Sequence, residues 1–109
     1  MNSPSASSSS SQANTLSHSG NEVYRVDVDW RNQSAYYVES RRKVWLMLSK
    51  RIRGHAGVDH MYAIWEYQDG RREELSASER TAVLRRTIDF VRDHEGVTLI
   101  PADPLILAA

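Results

Sequence analysis

Only one stretch of this chain carries a full set of helix signals, and that restricts the fold more than any other feature. Ser76, Ala77, Ser78 and Glu79 form a capping box, in which the serine oxygen accepts from the third helical amide and the glutamate reaches back to the cap amide. Ala77, Thr81, Leu84, Ile88 and Val91 then recur at the spacing of one helical face, widened by Val83 and Phe90. Arg80, Arg85, Arg86, Asp89, Arg92 and Asp93 take the flanks and back, and Gly96, just beyond His94, is placed for a left-handed cap. The pattern predicts one helix over residues 77–94 with its apolar side against a sheet.

A lone amphipathic helix needs a second layer, and the rest of the chain reads as strands and turns. Tyr24, Val26, Val28 and Trp30 alternate with Val23, Arg25, Asp27 and Asp29, the two-residue period of a strand with one buried face. Residues 31–34 read as a polar turn. Residues 36–52 admit two readings. Val44, Leu46 and Leu48 on one face, with Trp45 and Met47 on the other, fit the second strand of a hairpin that breaks at residues 40–43. Val44, Leu48 and Ile52 also fall four apart, with Trp45 beside them and Gly54 as a possible cap, which is a helical stripe; that stripe leaves Leu46 and Met47 outside it, so the hairpin is favoured. Gly54 to Gly57 reads as a loop, residues 60–67 as a strand ending in a turn at Gln68, Asp69 and Gly70, and residues 97–100 as a short strand stopped by Pro101. The expected fold is a small two-layer α+β domain: a mostly antiparallel sheet of about four to five strands, covered on one face by the C-terminal helix. Trp45, Trp65, Met47, Met61 and the residues from Leu105 to Leu107 are candidates to cover the other face or to leave it open for a partner.

Composition sets the boundaries. The first 21 residues contain nine serines and no Asp, Glu, Lys or Arg, so all 14 acids and all 14 bases of the 109-residue chain lie beyond them. A segment so poor in apolar residues is expected to be a disordered tail, which leaves residues 22–109 as one domain. With no cysteine, no disulfide holds it, and stability rests on apolar packing. There is neither a long apolar run nor a basic-flanked signal segment, so no membrane span is expected and a cytoplasmic location is the default. A formal charge of zero argues against a dedicated nucleic-acid binder.

Candidate chemistry is sparse. His55 and His60 flank Asp59 at five-residue spacing without a cysteine or a helical pair, which does not make a metal site. Asp27 and Asp29 could chelate a cation, but their alternation marks the wet face of a strand. Ser40, Glu39 and His60 include the residue types of a hydrolase without the turn that exposes a nucleophile, and no phosphate-binding glycine loop occurs. No enzyme activity, cofactor or metal is therefore expected. The run Arg41, Arg42, Lys43, Lys50, Arg51 and Arg53, with Trp45 available for stacking, is the best nucleic-acid feature; against it 14 acids balance the chain, so a solvated hairpin turn and strand end is the favoured reading and a regulatory nucleic-acid-binding module the alternative.

Tyr37, Val38 and Glu39 followed by Arg41, then Tyr62, then Trp65 and Glu66 before a turn, then Leu75, Ser76, Glu79 and Arg80 opening a helix that contains Leu84 and Arg86, resemble the immunity protein family numbered seventy-four. The likeness spans residues 36–100. Where that family has a proline-containing turn after the tryptophan, this chain has Tyr67, Gln68, Asp69 and Gly70. The resemblance implies a small bacterial cytoplasmic protein that binds a cognate protein toxin stoichiometrically and blocks it. A complex of that kind leans on a few aromatic or arginine anchors. Trp45, Tyr67 and Arg71 are the candidates here, with Trp65 expected in the core, and Asp27, Asp29 and Glu66 are candidates to meet a basic toxin cleft.

Overall fold

The alternation over residues 23–30 folds as β1 (Tyr24–Asp29), which turns into β2 (Ser34–Glu39) and then, through Ser40 and Arg41, into β3 (Arg42–Leu48). The structure is a computed structural model and describes residues 23–102; the serine-rich tail over residues 1–21 and the apolar residues 105–107 lie outside them. The stretch over residues 36–52 is thus a hairpin. β2 and β3 run antiparallel with Ala35 opposite Leu46 and Tyr37 opposite Val44. The two-residue period wins because it buries Val44, Leu46 and Leu48 together, whereas a helical stripe would have left Leu46 in water.

β3 is the hub of the sheet. One edge pairs along its length with β2, while the other is divided, Arg42 to Val44 pairing with β5 (Ile64–Tyr67) and Met47 and Leu48 with β4 (His55–Asp59). β6 (Arg72–Glu74) adds to β5, and β7 (Thr98–Pro101) lies parallel to β4 beyond the helix α1 (Ala77–Glu95). All other pairings are antiparallel, and the sheet has seven strands rather than four to five.

The additional strands were hidden for different reasons. β4 occupies the expected loop at residues 54–57 because Gly57 serves as a point of close approach and not as a turn. Its N–H donates to Ser49 Oγ at 2.6 Å, and a Cβ there would meet that oxygen at 3.3 Å. β6 is exposed and charged throughout, so no alternation marks it. The strand expected over residues 60–67 starts only at Ile64. Asp59 Oδ1 accepts from Met61 N–H at 2.8 Å and His60 C=O from Ala63 N–H at 3.0 Å, folding the first half into a turn.

The capping box of α1 forms as expected: Ser76 Oγ accepts from Glu79 N–H at 3.1 Å, and Glu79 Oε1 from Ser76 N–H at 2.8 Å. Gly96, at φ 69°, closes the helix by donating to Arg92 C=O at 3.0 Å. The buried stripe is rotated from the expected one. Val83, Leu84, Thr87 and Val91 are buried, Ile88 and Phe90 only partly so, and Ala77 is exposed, since the first turn is held by its cap and by Arg42 against Glu79 at 3.6 Å. The N–H of Ser76 holds the Glu79 carboxyl below the ordinary carboxylate range. A depressed carboxyl adds stability above its unfolded pKa and loses it as pH falls through the folded value. Ser76→Ala is expected to cost about 1 kcal/mol, read as a lower Tm in a thermal melt at neutral pH.

Val26, Tyr37, Val44, Leu46, Val58 and Trp65 from the sheet meet Val83, Leu84 and Val91 from the helix in a single core. The other face of the sheet has no covering layer among the described residues. Met47 and Ile100 remain exposed there, and Met61, in the turn before β5, is exposed as well.

Candidate functional site

On the uncovered face the register lines up one residue from each of five strands. Arg25 of β1 stands opposite Val38 of β2, which faces Lys43 of β3; Lys43 faces Glu66 of β5, and Glu66 faces Arg72 of β6. One step along the strands, Asp27, Tyr36 and Trp45 form the neighbouring row. The side chains of the first row, with Asp27 and Tyr36, line a groove of about 530 Å³.

Two hairpin turns close one end of this groove. Gln68 N–H donates to Arg41 C=O at 3.0 Å, clasping the β5–β6 turn to the β2–β3 turn. Tyr67 N–H donates to Arg71 C=O at 2.9 Å, and the Arg71 guanidinium lies 4.2 Å from the Tyr67 ring centre. Tyr67 is fixed from below, since its hydroxyl donates to Glu73 at 2.7 Å and accepts from Arg42 at 3.2 Å. Arg42 itself stacks 3.6 Å from the centre of the Trp65 ring and donates to the buried Glu39 at 3.2 Å. Glu39 Oε1 also accepts from Tyr37 Oη at 2.6 Å, and Arg86 donates to that hydroxyl at 2.9 Å. A packed polar cluster on the helix side therefore sets the groove wall, and Tyr37, Glu39, Trp65, Glu79 and Arg86, all among the residues that carry the resemblance, converge on it.

Of the six residues proposed from sequence, Asp27, Glu66, Tyr67 and Arg71 line the groove together. Trp45 is half-buried on the same face, beside Tyr36. Asp29 is placed apart from them. Its carboxylate accepts from Asn32 N–H at 3.1 Å and from Asn32 Nδ2 at 2.7 Å, which tightens the β1–β2 turn and lowers its pKa. The charge balance has the opposite sign to that of an acidic face: Arg25, Arg41, Arg42, Lys43, Arg71 and Arg72 line the groove against Asp27 and Glu66 alone. Asp27 is paired with Arg25 at 3.1 Å, and Glu66 sits between Lys43 and Arg72. Arg25 and Arg72 were missed because only the pairing register, which joins segments far apart in sequence, places them beside Lys43.

The basic run does not form one patch. Arg41, Arg42 and Lys43 belong to the groove, whereas Lys50, Arg51 and Arg53 lie about 20 Å away beyond the far end of β3, Arg51 over the Trp30 ring at 5.0 Å. His55 and His60 sit at opposite ends of β4, and no cluster of three or more His, Asp or Glu residues among the described residues is placed to hold a metal. His60 is engaged by Arg80 at 3.3 Å, while the Glu39 carboxylate is taken up by Tyr37 and Arg42. No helix among the described residues is long and apolar enough to cross a membrane.

No family model, curated protein or solved structure matches this chain.

Proposed function

We propose that this chain is a small immunity protein that neutralises a protein toxin by occupying it, without turnover. The observation that carries the reading is the uncovered sheet face, where Val38 and Tyr36 in the groove and Trp45 and Met47 next to it have no layer of the described residues over them. A helix-covered sheet with one open face presents a broad, rigid surface, which suits a contact of about 800 Å² per partner. Central aromatics ringed by arginines are the composition of a binding hot spot. The resemblance over residues 36–100 supplies the class of partner.

Protection by occupancy requires nearly complete block, so a dissociation constant of about nanomolar or tighter is expected. Titrating the protein into a fixed amount of its cognate toxin, sought as a toxic domain encoded by a neighbouring gene, should abolish toxicity along a line that breaks near one equivalent. Full inhibition at about a hundredth of an equivalent would make the protein an enzyme, and undiminished toxin activity at excess protein would overturn the immunity reading.

A further inference from the structure

We propose that the groove on the open face receives an extended acidic segment of the partner protein, its carboxylates held by the guanidinium groups of Arg41 and Arg72. The inference rests on the partner-binding reading above and gives that partner a chemistry.

Most of the groove's cations already have local duties. Arg25 pairs with Asp27 at 3.1 Å, Arg42 with Glu39 at 3.2 Å and Arg71 with Asp69 at 3.4 Å, and Lys43 lies 4.5 Å from the Tyr36 ring centre. Arg41 and Arg72 are exposed and form no ion pair with a described residue. Arg41 rises from the β2–β3 turn, and Arg72 is the first residue of β6, just past the turn that the Gln68 to Arg41 hydrogen bond clasps to it. Two guanidinium groups that no described residue pairs, carried on backbone held together by that bond, offer two planar forks, each able to match a carboxylate in two-point geometry.

A nucleic-acid strand would also answer the positive excess, but the groove is poorly equipped for one. The two rings that line the groove, Tyr36 and Tyr67, each carry a cation over one face, Trp45 lies outside the lining, and Asp27 and Glu66 stand among the cations that a phosphate track would need. A polypeptide meets those two acids differently, because its own N–H groups can donate to them. The zero net charge of the chain gives no general field for a phosphate backbone, whereas a local contact between two arginines and two carboxylates needs none.

The test uses the full chain and a fluorescein-labelled peptide alternating Glu and Val over about ten residues, followed by fluorescence anisotropy. A Lys and Val peptide and an oligothymidylate of about ten nucleotides serve as competitors. The Glu peptide should bind, and Arg41→Ala with Arg72→Ala should weaken it about tenfold or more; both side chains are on the surface, so the variant should keep the parent Tm. Absence of binding, or equal binding by the variant, would overturn the proposal. Tighter binding of the oligothymidylate would overturn it in favour of a nucleic-acid groove. Because no toxin enters this assay, a negative result leaves the toxin titration to be read separately.

Discussion

Trp65→Ala should cost the domain about 4 kcal/mol, the sum of a large buried volume lost and a stacked cation stranded. Trp65 is 1% exposed, and its ring lies 6.3 Å from that of Tyr37 at a 55° tilt. The Arg42 guanidinium lies 3.6 Å from the Trp65 ring centre. The residue also sits opposite Val44, where β5 joins β3, so a cavity here loosens the strand that carries Tyr67 and Glu66 into the groove. A thermal melt should show Tm falling by about 15 °C or more for a domain of this size. Trp65→Phe keeps most of the volume and should lose about a third as much or less. A loss below about 1 kcal/mol for the alanine variant would remove Trp65 from the core.

How much of this was legible in the sequence depends on the range over which each feature is specified. The α1 termini are local events: Ser76, Glu79 and Gly96 announce themselves within a few residues, and the structure places them as read. β1 and β3 were legible because one face of each is buried, so period two survives in Val26 and Val28 and in Val44, Leu46 and Leu48. β6 was not, because Arg72, Glu73 and Glu74 are all exposed and charged, so no alternation marks them, and pairing with β5 makes them a strand. β4 was not, because a glycine is the same letter in a turn and at a tight strand crossing, and only Ser49 beside Gly57 separates the two. Thr87 lies off the stripe that Ala77, Thr81, Leu84, Ile88 and Val91 define, and it is fully buried because the observed buried face is rotated toward it.

The site follows the same division. Tyr67 and Arg71 lie within one turn and could be read together, whereas Arg25, Lys43, Glu66 and Arg72 share a row only because four strand pairings are in register. A one-residue slip in any of them would send its side chains to the other face. The acidic face expected from Asp27, Asp29 and Glu66 counted charges along the chain. Across the sheet, Arg25, Lys43 and Arg72 surround two of those acids, and Asn32 holds the third.

Glu39→Ala is expected to cost about 3 kcal/mol, more than a residue at the end of a strand would ordinarily suggest. Glu39 is 4% exposed, and its carboxylate accepts from Tyr37 Oη at 2.6 Å and Arg42 Nη2 at 3.2 Å, with Arg86 Nη1 at 3.6 Å. Its removal leaves a buried hydroxyl without its acceptor and two cations without their shared partner. The side chains of Arg42 and Arg86 are 23% and 29% exposed, so each can recover part of its hydration, which keeps the loss at the lower end of the range for a broken buried pair. Glu39→Gln keeps an acceptor for Tyr37 while removing the charge, and should cost about half as much. Burial, and then the hydrogen bond to Glu39, push the Tyr37 hydroxyl well above its ordinary value. A raised folded pKa means stability is complete below the unfolded value near 10 and declines as pH rises past it. Chemical denaturation at neutral pH and again above about pH 10 should therefore show the parent losing stability with alkali. Parent and Glu39→Ala of equal stability at neutral pH would mean the carboxylate is no keystone of the cluster beneath the groove.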